Sequence, residues 1–204
     1  MAEESLLTAK IRHGFDHLDA DGDGRLTEED HVIMGRRVAA ALGHPPGSEA
    51  EVQIIAAYVG IWRDLHLPHT ADGAAGISKE EFVRSTSRLA SDPQAAQATV
   101  GAVGQAYLAI VDAERDGHVS PGEFLAFQRG HFPALTQSEA DEAFAHLDSN
   151  GDGYLSEQEF TQAIVEYWSS QDPDAPGNWW MGRPPYQRCG GPSGRARSEK
   201  LIRT

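Results

Sequence analysis

The chain is poor in the residues that build most covalent and membrane chemistry. It has one cysteine, Cys189, so no disulfide can form within the chain, which favours a reducing compartment. No apolar run approaches the ~20 residues needed to span a bilayer. The opening Met-Ala-Glu-Glu is acidic and lacks the basic-then-apolar pattern of a secretory leader. A cytoplasmic protein with no membrane partner is therefore expected. Lysine is scarce, at 3 residues against 14 arginines, with abundant alanine and glycine. That usage is typical of GC-rich genomes and points to a bacterial source. Positive charge is also short: 17 basic residues face 31 acidic ones, for a net charge of −14. Such a body repels nucleic acid. No nucleophile, base and orienting group form a plausible set, so an enzyme is not expected. His13 and His17 lie four apart on a helix, the spacing of two zinc ligands, but no third ligand is near in sequence. They read as structural, as do His66 and His69.

What the chain has instead is carboxylate at alternate positions. Three stretches read Asp19-Ala-Asp21-Gly-Asp23-Gly24, Asp112-Ala-Glu114-Arg-Asp116-Gly117 and Asp148-Ser-Asn150-Gly-Asp152-Gly153. Each closes with a further carboxylate: Asp30, Glu123 and Glu159. A hard cation such as calcium takes six to eight oxygens, and a twelve-residue loop supplies them from side chains at positions 1, 3, 5 and 12 and a carbonyl at 7. Glycine at position 6 makes the sharp turn. In the last stretch Asp148, Asn150, Asp152, the Tyr154 carbonyl, Ser156 and Glu159 satisfy the whole pattern. In the one before it Asp112, Glu114, Asp116, the His118 carbonyl, Ser120 and Glu123 do so with one departure. Glu114 is a methylene longer than the usual position-3 residue. In the first, Asp19, Asp21, Asp23, the Arg25 carbonyl and Thr27 fit, but Asp30 closes the loop with a shorter arm. A shorter arm chelates less readily through both oxygens, and a six-oxygen cage suits magnesium. About three calcium ions are expected, with magnesium competing at the Asp19–Asp30 loop.

Such loops pair, so a fourth is expected. With Ile77 at position 8, Thr70 falls at position 1, Asp72 at 3, Ala74 at 5, Ala75 at 6, Ser78 at 9 and Glu81 at 12. Only Asp72 and Glu81 keep side-chain carboxylates, so no useful metal binding is expected there. Its role is structural, with Ile77 pairing to Leu26. The loops are numbered 1 to 4 in chain order, starting at Asp19, Thr70, Asp112 and Asp148.

Eight helices are expected, two per loop. The entering helices should bury residues one, four, five and eight before each loop: Leu18, Phe15, Gly14 and Ile11 before loop 1; Val111, Leu108, Tyr107 and Gly104 before loop 3; and Leu147, Phe144, Ala143 and Ala140 before loop 4. The set before loop 2 is His69, His66, Leu65 and Trp62. Ser78 with Glu81 makes a capping box, Asp92-Pro93 opens the fifth helix, and Gly43-His-Pro-Pro-Gly47 ends the second. Four segments follow: a first pair of units at 1–90, a second at 91–170, a Trp-containing segment at 171–182 that packs on the body, and a basic, disordered tail at 183–204. That tail has net charge +5, leaving the body near −19. Trp179 and Trp180 are expected to fold back into the apolar cleft of the paired units, because two adjacent exposed tryptophans are unfavourable in a soluble protein.

These loops resemble those of the EF-hand superfamily. The layout is similar to the four-hand sarcoplasmic calcium-binding proteins: a silent second hand, a gap of 51 residues between the first two loops against 36 between the last two, and Asp172-Pro-Asp-Ala-Pro-Gly-Asn-Trp179. The resemblance implies an all-α fold of four helix–loop–helix units, paired by short β-contacts and packed into one compact globule. It also implies calcium buffering or transport by a monomer. The alternative is a sensor that opens a groove for a protein target; with only Met1, Met34 and Met181, the Met-rich groove of such sensors is missing.

Overall fold

The computed structural model describes residues 4–70 and 74–185. Asp72 of loop 2 lies outside them, as do Cys189 and most of the 183–204 tail. Eight α-helices run in four helix–loop–helix units. They are α1 Leu6–Leu18, α2 Glu28–Ala41, α3 Glu49–Ile61, α4 Lys79–Thr86, α5 Pro93–Val111, α6 Pro121–His131, α7 Gln137–Leu147 and α8 Glu157–Ser169. The only strands among the described residues are two-residue pieces inside the loops: β1 Arg25–Leu26, β2 Ile77–Ser78, β3 His118–Val119 and β4 Leu155–Ser156. β1 pairs antiparallel with β2, setting Leu26 opposite Ile77. β3 pairs with β4, setting Val119 opposite Leu155. The expected all-α fold of paired units with short β-contacts is borne out.

Helix starts follow from local chemistry. Thr27, Ser78, Ser120, Thr136 and Ser156 each cap a helix reciprocally with an acid three residues on: Asp30, Glu81, Glu123, Glu139 and Glu159. In all four loops, position 9 and position 12 are therefore also the first cap of the exiting helix. Loop geometry and helix register are locked together.

The three intact entering helices bury the expected faces. Ile11, Gly14, Phe15 and Leu18 are buried on α1, Gly104, Tyr107, Leu108 and Val111 on α5, and Ala140, Ala143, Phe144 and Leu147 on α7. The helix before loop 2 does not stay a regular α-helix up to the loop. After Ile61 the chain takes a π turn over Trp62–His66 and a 3₁₀ turn over Leu67–His69. The widened turn brings both Trp62 and His66 into the core, and Pro68 ends the helix because it has no N–H to continue the ladder.

The two halves share one core. Gly130 on α6 meets Val38 on α2 so closely that a Cβ would lie 2.6 Å from the Val38 Cα. Only glycine permits that approach. Behind α8, residues 172–181 lie back on the helices. Trp180 is 4 % exposed and sits edge-on to Phe160 at 5.0 Å between centroids, and its carbonyl accepts from Gln128 Nε2 at 2.7 Å. Trp179 stacks on His146 at 3.8 Å and 10°. Asn178 Oδ1 accepts from Lys10 Nζ at 2.9 Å, and the same ammonium donates to the Glu166 carbonyl at 3.0 Å. This tie joins α1, α8 and the closing segment. Burial opposes the charge and lowers the Lys10 pKa to about 8, although Glu166 and Asp172 pull the other way.

Candidate metal centres

Loop 1 gathers its carboxylates most tightly. Oxygens of Asp19, Asp21 and Asp23 lie within 4.8 Å of one another, the one such group of three acidic, histidine or cysteine ligands among the described residues. Backbone N–H groups hold them in place. Asp19 accepts from Gly22, Asp23 and Gly24 at 2.9, 3.1 and 2.8 Å. Asp21 accepts from the Asp23 N–H at 3.0 Å, and Asp23 from the Arg25 N–H at 2.8 Å. Burial raises the Asp19 pKa; the Gly24 and Gly22 N–H groups oppose it, and the charges of Asp30 and Asp23 add to the rise. Like charges set this close repel until a cation is placed among them.

Asp30 closes loop 1 despite its short arm. One oxygen accepts from the Ala20 N–H at 2.9 Å and the other from the Thr27 N–H at 2.7 Å. Glu123 spans Ala113 and Ser120 in the same way, and Glu159 spans Ser149 and Ser156. The shorter residue reaches these partners by sitting deeper: Asp30 is 0 % exposed, whereas Glu123 and Glu159 are half-buried. Burial works to raise the Glu159 pKa, but the N–H and hydroxyl of Ser156, the Ser149 hydroxyl and the Asn150 N–H hold it below the ordinary value.

Loop 4 repeats the internal bonding of loop 1. Asp148 accepts from Gly151, Asp152 and Gly153. Asn150 Oδ1 accepts from the Asp152 N–H at 2.7 Å, and Asp152 from the Tyr154 N–H at 2.9 Å. Position 3 here is an amide rather than a carboxylate, which lowers the ion-free repulsion.

Loop 3 is looser, at the residues where its sequence departs. Asp112 accepts from Asp116 and Gly117, and Asp116 from the His118 N–H. The bonds that position 4 gives to position 1, and position 5 to position 3, are present in loops 1 and 4 but not in loop 3. Glu114 fills position 3 and Arg115 position 4. Arg115 has φ +56°, where its counterparts Gly22 and Gly151 have φ +77° and +74°. An arginine in the left-handed region carries strain that glycine does not. Position 4 was the residue missed in reading ligands alone, though glycine at 22 and 151 was a visible signal.

The carbonyls of Arg25 and His118 belong to the first residue of β1 and β3, and that of Tyr154 to the residue just before β4, so the sheet pairing holds the chain at or beside each of them. In loop 2, Glu81 retains the capping half of the pattern, accepting from the Ser78 N–H and hydroxyl. Its pKa is lowered by those two bonds. His13 and His17 do not meet a third ligand among the described residues; His17 packs edge-on to Phe132 at 4.3 Å. Every donor gathered in loops 1, 3 and 4 is oxygen, which fits calcium or magnesium and not a soft metal.

Residues 105–165 match the family model of an EF-hand domain pair, and residues 11–30 match that of an EF hand. The chain is 28% identical to calerythrin from Saccharopolyspora erythraea over 166 residues, covering 80% of this chain and 92% of that protein. Its fold is similar to a coelenterazine-binding protein from Renilla muelleri in the calcium-loaded apo form, with TM-score 0.71, 24% identity, and coverage of 86% and 94% of the two chains. It is also similar to a calcium-binding protein from Streptomyces coelicolor, with TM-score 0.65, 23% identity and coverage of 80% and 98%.

Proposed function

Taking as premise that the chain is a calcium-binding EF-hand protein related to calerythrin, we propose that it buffers calcium through three loops. Asp19, Asp21, Asp23, the Arg25 carbonyl and Asp30 hold one ion. Asp112, Glu114, Asp116, the His118 carbonyl and Glu123 hold a second. Asp148, Asn150, Asp152, the Tyr154 carbonyl and Glu159 hold a third. The observation that carries this reading is the set of Asp19, Asp21 and Asp23 oxygens within 4.8 Å of one another. They are pinned there by backbone N–H groups, so little rearrangement is needed to receive a cation. Bound ions would supply positive charge that relieves the carboxylate repulsion, and binding would stabilise the fold by mass action.

Loop 1 is the loop proposed to accept magnesium as well, since its shorter closing residue favours a smaller, six-oxygen cage. Buffering is preferred over sensing because the cleft that a sensor would open already holds Trp180, with Phe124, Phe127 and Phe160 around it. Large exposed apolar side chains are few and scattered among the described residues: Val52, Leu67 and Tyr154. The test is fluorescence of a hydrophobic dye with and without calcium, run beside a calorimetric calcium titration repeated in millimolar magnesium. Three sites and a flat dye signal support the buffer. A large calcium-dependent rise in dye fluorescence replaces it with the sensor.

A further inference from the structure

Loop 2 has lost metal ligands, yet its second half keeps the closed form of the other loops. β2 pairs with β1, and Ser78 with Glu81 forms the same capping box that closes loops 1, 3 and 4. In a metal-binding loop the cation draws the oxygens of positions 7 and 12 together. In loop 2 that task falls to another group.

Position 7 of loop 2 is Gly76, and its carbonyl oxygen accepts a hydrogen bond from Arg25 Nη1 at 3.1 Å. The sheet register explains the reach. Arg25 lies opposite Ser78, so Gly76 is its diagonal neighbour on the same face, within range of a long side chain. The two strands approach so closely here that a Cβ on Gly76 would lie 2.6 Å from the Leu26 carbonyl oxygen. A side chain at position 76 would force them apart and carry the Gly76 carbonyl with it. Position 12 of loop 2 is Glu81. Its pKa is held below the ordinary value first by the Ser78 hydroxyl and N–H, and further by the charges of Arg84 and Arg25, with burial opposing. The Arg25 guanidinium thus bonds the position-7 oxygen and attracts the position-12 carboxylate. It stays protonated and offers only donors. Unlike a bound ion, it cannot dissociate.

Loops 3 and 4 are joined differently. Their position-7 side chains, His118 and Tyr154, meet ring to ring at 6.0 Å between centroids, and each loop carries its own metal ligands. Arg25 serves two loops at once: its carbonyl is a ligand position of loop 1, and its guanidinium reaches into loop 2. Loop 1 is also the loop whose three carboxylates lie within 4.8 Å of one another.

We propose that the Arg25 guanidinium stands in for the cation that loop 2 cannot bind, and that by keeping loop 2 closed it positions loop 1 for its own ion. The second half of this proposal rests on the reading of loop 1 as a cation site; the first half does not.

The sign of the effect separates this role from simple charge. A cation beside loop 1 repels calcium, so on charge alone removing Arg25 would tighten loop 1. As a positioning residue its removal weakens loop 1, because calcium must then order both loops. The test uses the full chain. Calcium titrations followed at the Gly24, Gly117 and Gly153 amides read loops 1, 3 and 4, and hydrogen exchange of the Ile77 amide at saturating calcium reads loop 2. Arg25→Met removes the charge and the donors but keeps the stem. It should raise the Gly24 midpoint about threefold to tenfold, as for one partly exposed hydrogen bond from a charged donor, and quicken Ile77 exchange by a similar factor. Gly117 and Gly153 should stay within about twofold. Arg25→Lys keeps a cation with donors and should recover most of both losses. The proposal is overturned if Arg25→Met tightens loop 1 or leaves it unchanged, if Ile77 exchange does not respond, or if Arg25→Lys is as weak as Arg25→Met. A wild-type Gly24 amide that ignores calcium is a different result: it removes the metal reading of loop 1 and the positioning role with it. Ile77 exchange then decides the stand-in role by itself: faster in Arg25→Met, it holds; unchanged, it falls.

Discussion

Replacing Arg115 by glycine should tighten calcium binding at loop 3 and nowhere else. Arg115 sits at φ +56°, in a region that disfavours a side-chain-bearing residue by roughly 1–2 kcal/mol. That strain belongs to the closed loop, and it weighs on calcium affinity to the extent that repulsion among Asp112, Glu114 and Asp116 opens the ion-free loop. Glycine removes the strain but gives the open loop more freedom, which takes back roughly 0.5–1 kcal/mol. The net gain is about 0.5–1 kcal/mol, or about two- to fivefold in Kd. Nuclear magnetic resonance can read each loop separately through the amides of Gly24, Gly117 and Gly153. In Arg115→Gly the Gly117 amide should titrate at lower calcium while the other two stay fixed. Arg115→Ala is the control: it removes the positive charge but keeps the strained backbone, so it should tighten loop 3 less than glycine does. If the glycine and alanine variants behave alike, or if Gly117 titrates at unchanged calcium, the backbone argument is wrong.

Other perturbations follow from the same geometry. Asp30→Glu should sharpen calcium over magnesium at loop 1, read as a calcium titration of the Gly24 amide that millimolar magnesium shifts less than in the wild type; an equal magnesium effect rejects the short-arm argument. Trp180→Ala should destabilise the calcium-loaded protein by about 3–5 kcal/mol in urea unfolding and raise hydrophobic dye fluorescence, and truncation after Gln171 should raise the dye signal too; unchanged dye and stability would show the segment to be dispensable. Burial lowers the His131 pKa to about 4, against the Phe127 carbonyl and together with His17. Tyr58 donates to its Nε2 at 2.8 Å. The unfolded chain takes up that proton near the ordinary value of ~6.5, so this part of the stability is intact above pH ~6.5 and is lost as pH falls towards 4. His131→Gln keeps an acceptor for Tyr58 and should flatten the loss by about 3 kcal/mol between those limits; parallel pH–stability curves would refute it.

Loop positions, helix starts and strand register were legible because each rests on short fixed spacings. Asp19 to Asp30 is a pattern within one loop and Ser156 to Glu159 one within a single helical turn, and Leu26 opposite Ile77 follows from position 8 in each loop. The unread features depend on distant partners. Lys10 meets Asn178 and Glu166 only after α1 and α8 pack, and nothing near Lys10 in sequence marks it as buried. The π turn at Trp62–His66 is set by what the core needs from Trp62 and His66, where periodicity alone predicts a regular helix. The looseness of loop 3 lies between these cases: Glu114 was visible as a departure, but the strain at Arg115 required the backbone.

The most direct measurement is equilibrium dialysis of the pure folded protein against calcium, with bound metal counted per molecule. Three ions per chain, falling to two when Asp148 and Glu159 are both replaced by alanine, is the predicted result. Fewer than two ions on the intact protein would mean that the oxygens of Asp19–Asp30, Asp112–Glu123 and Asp148–Glu159 do not form cation sites.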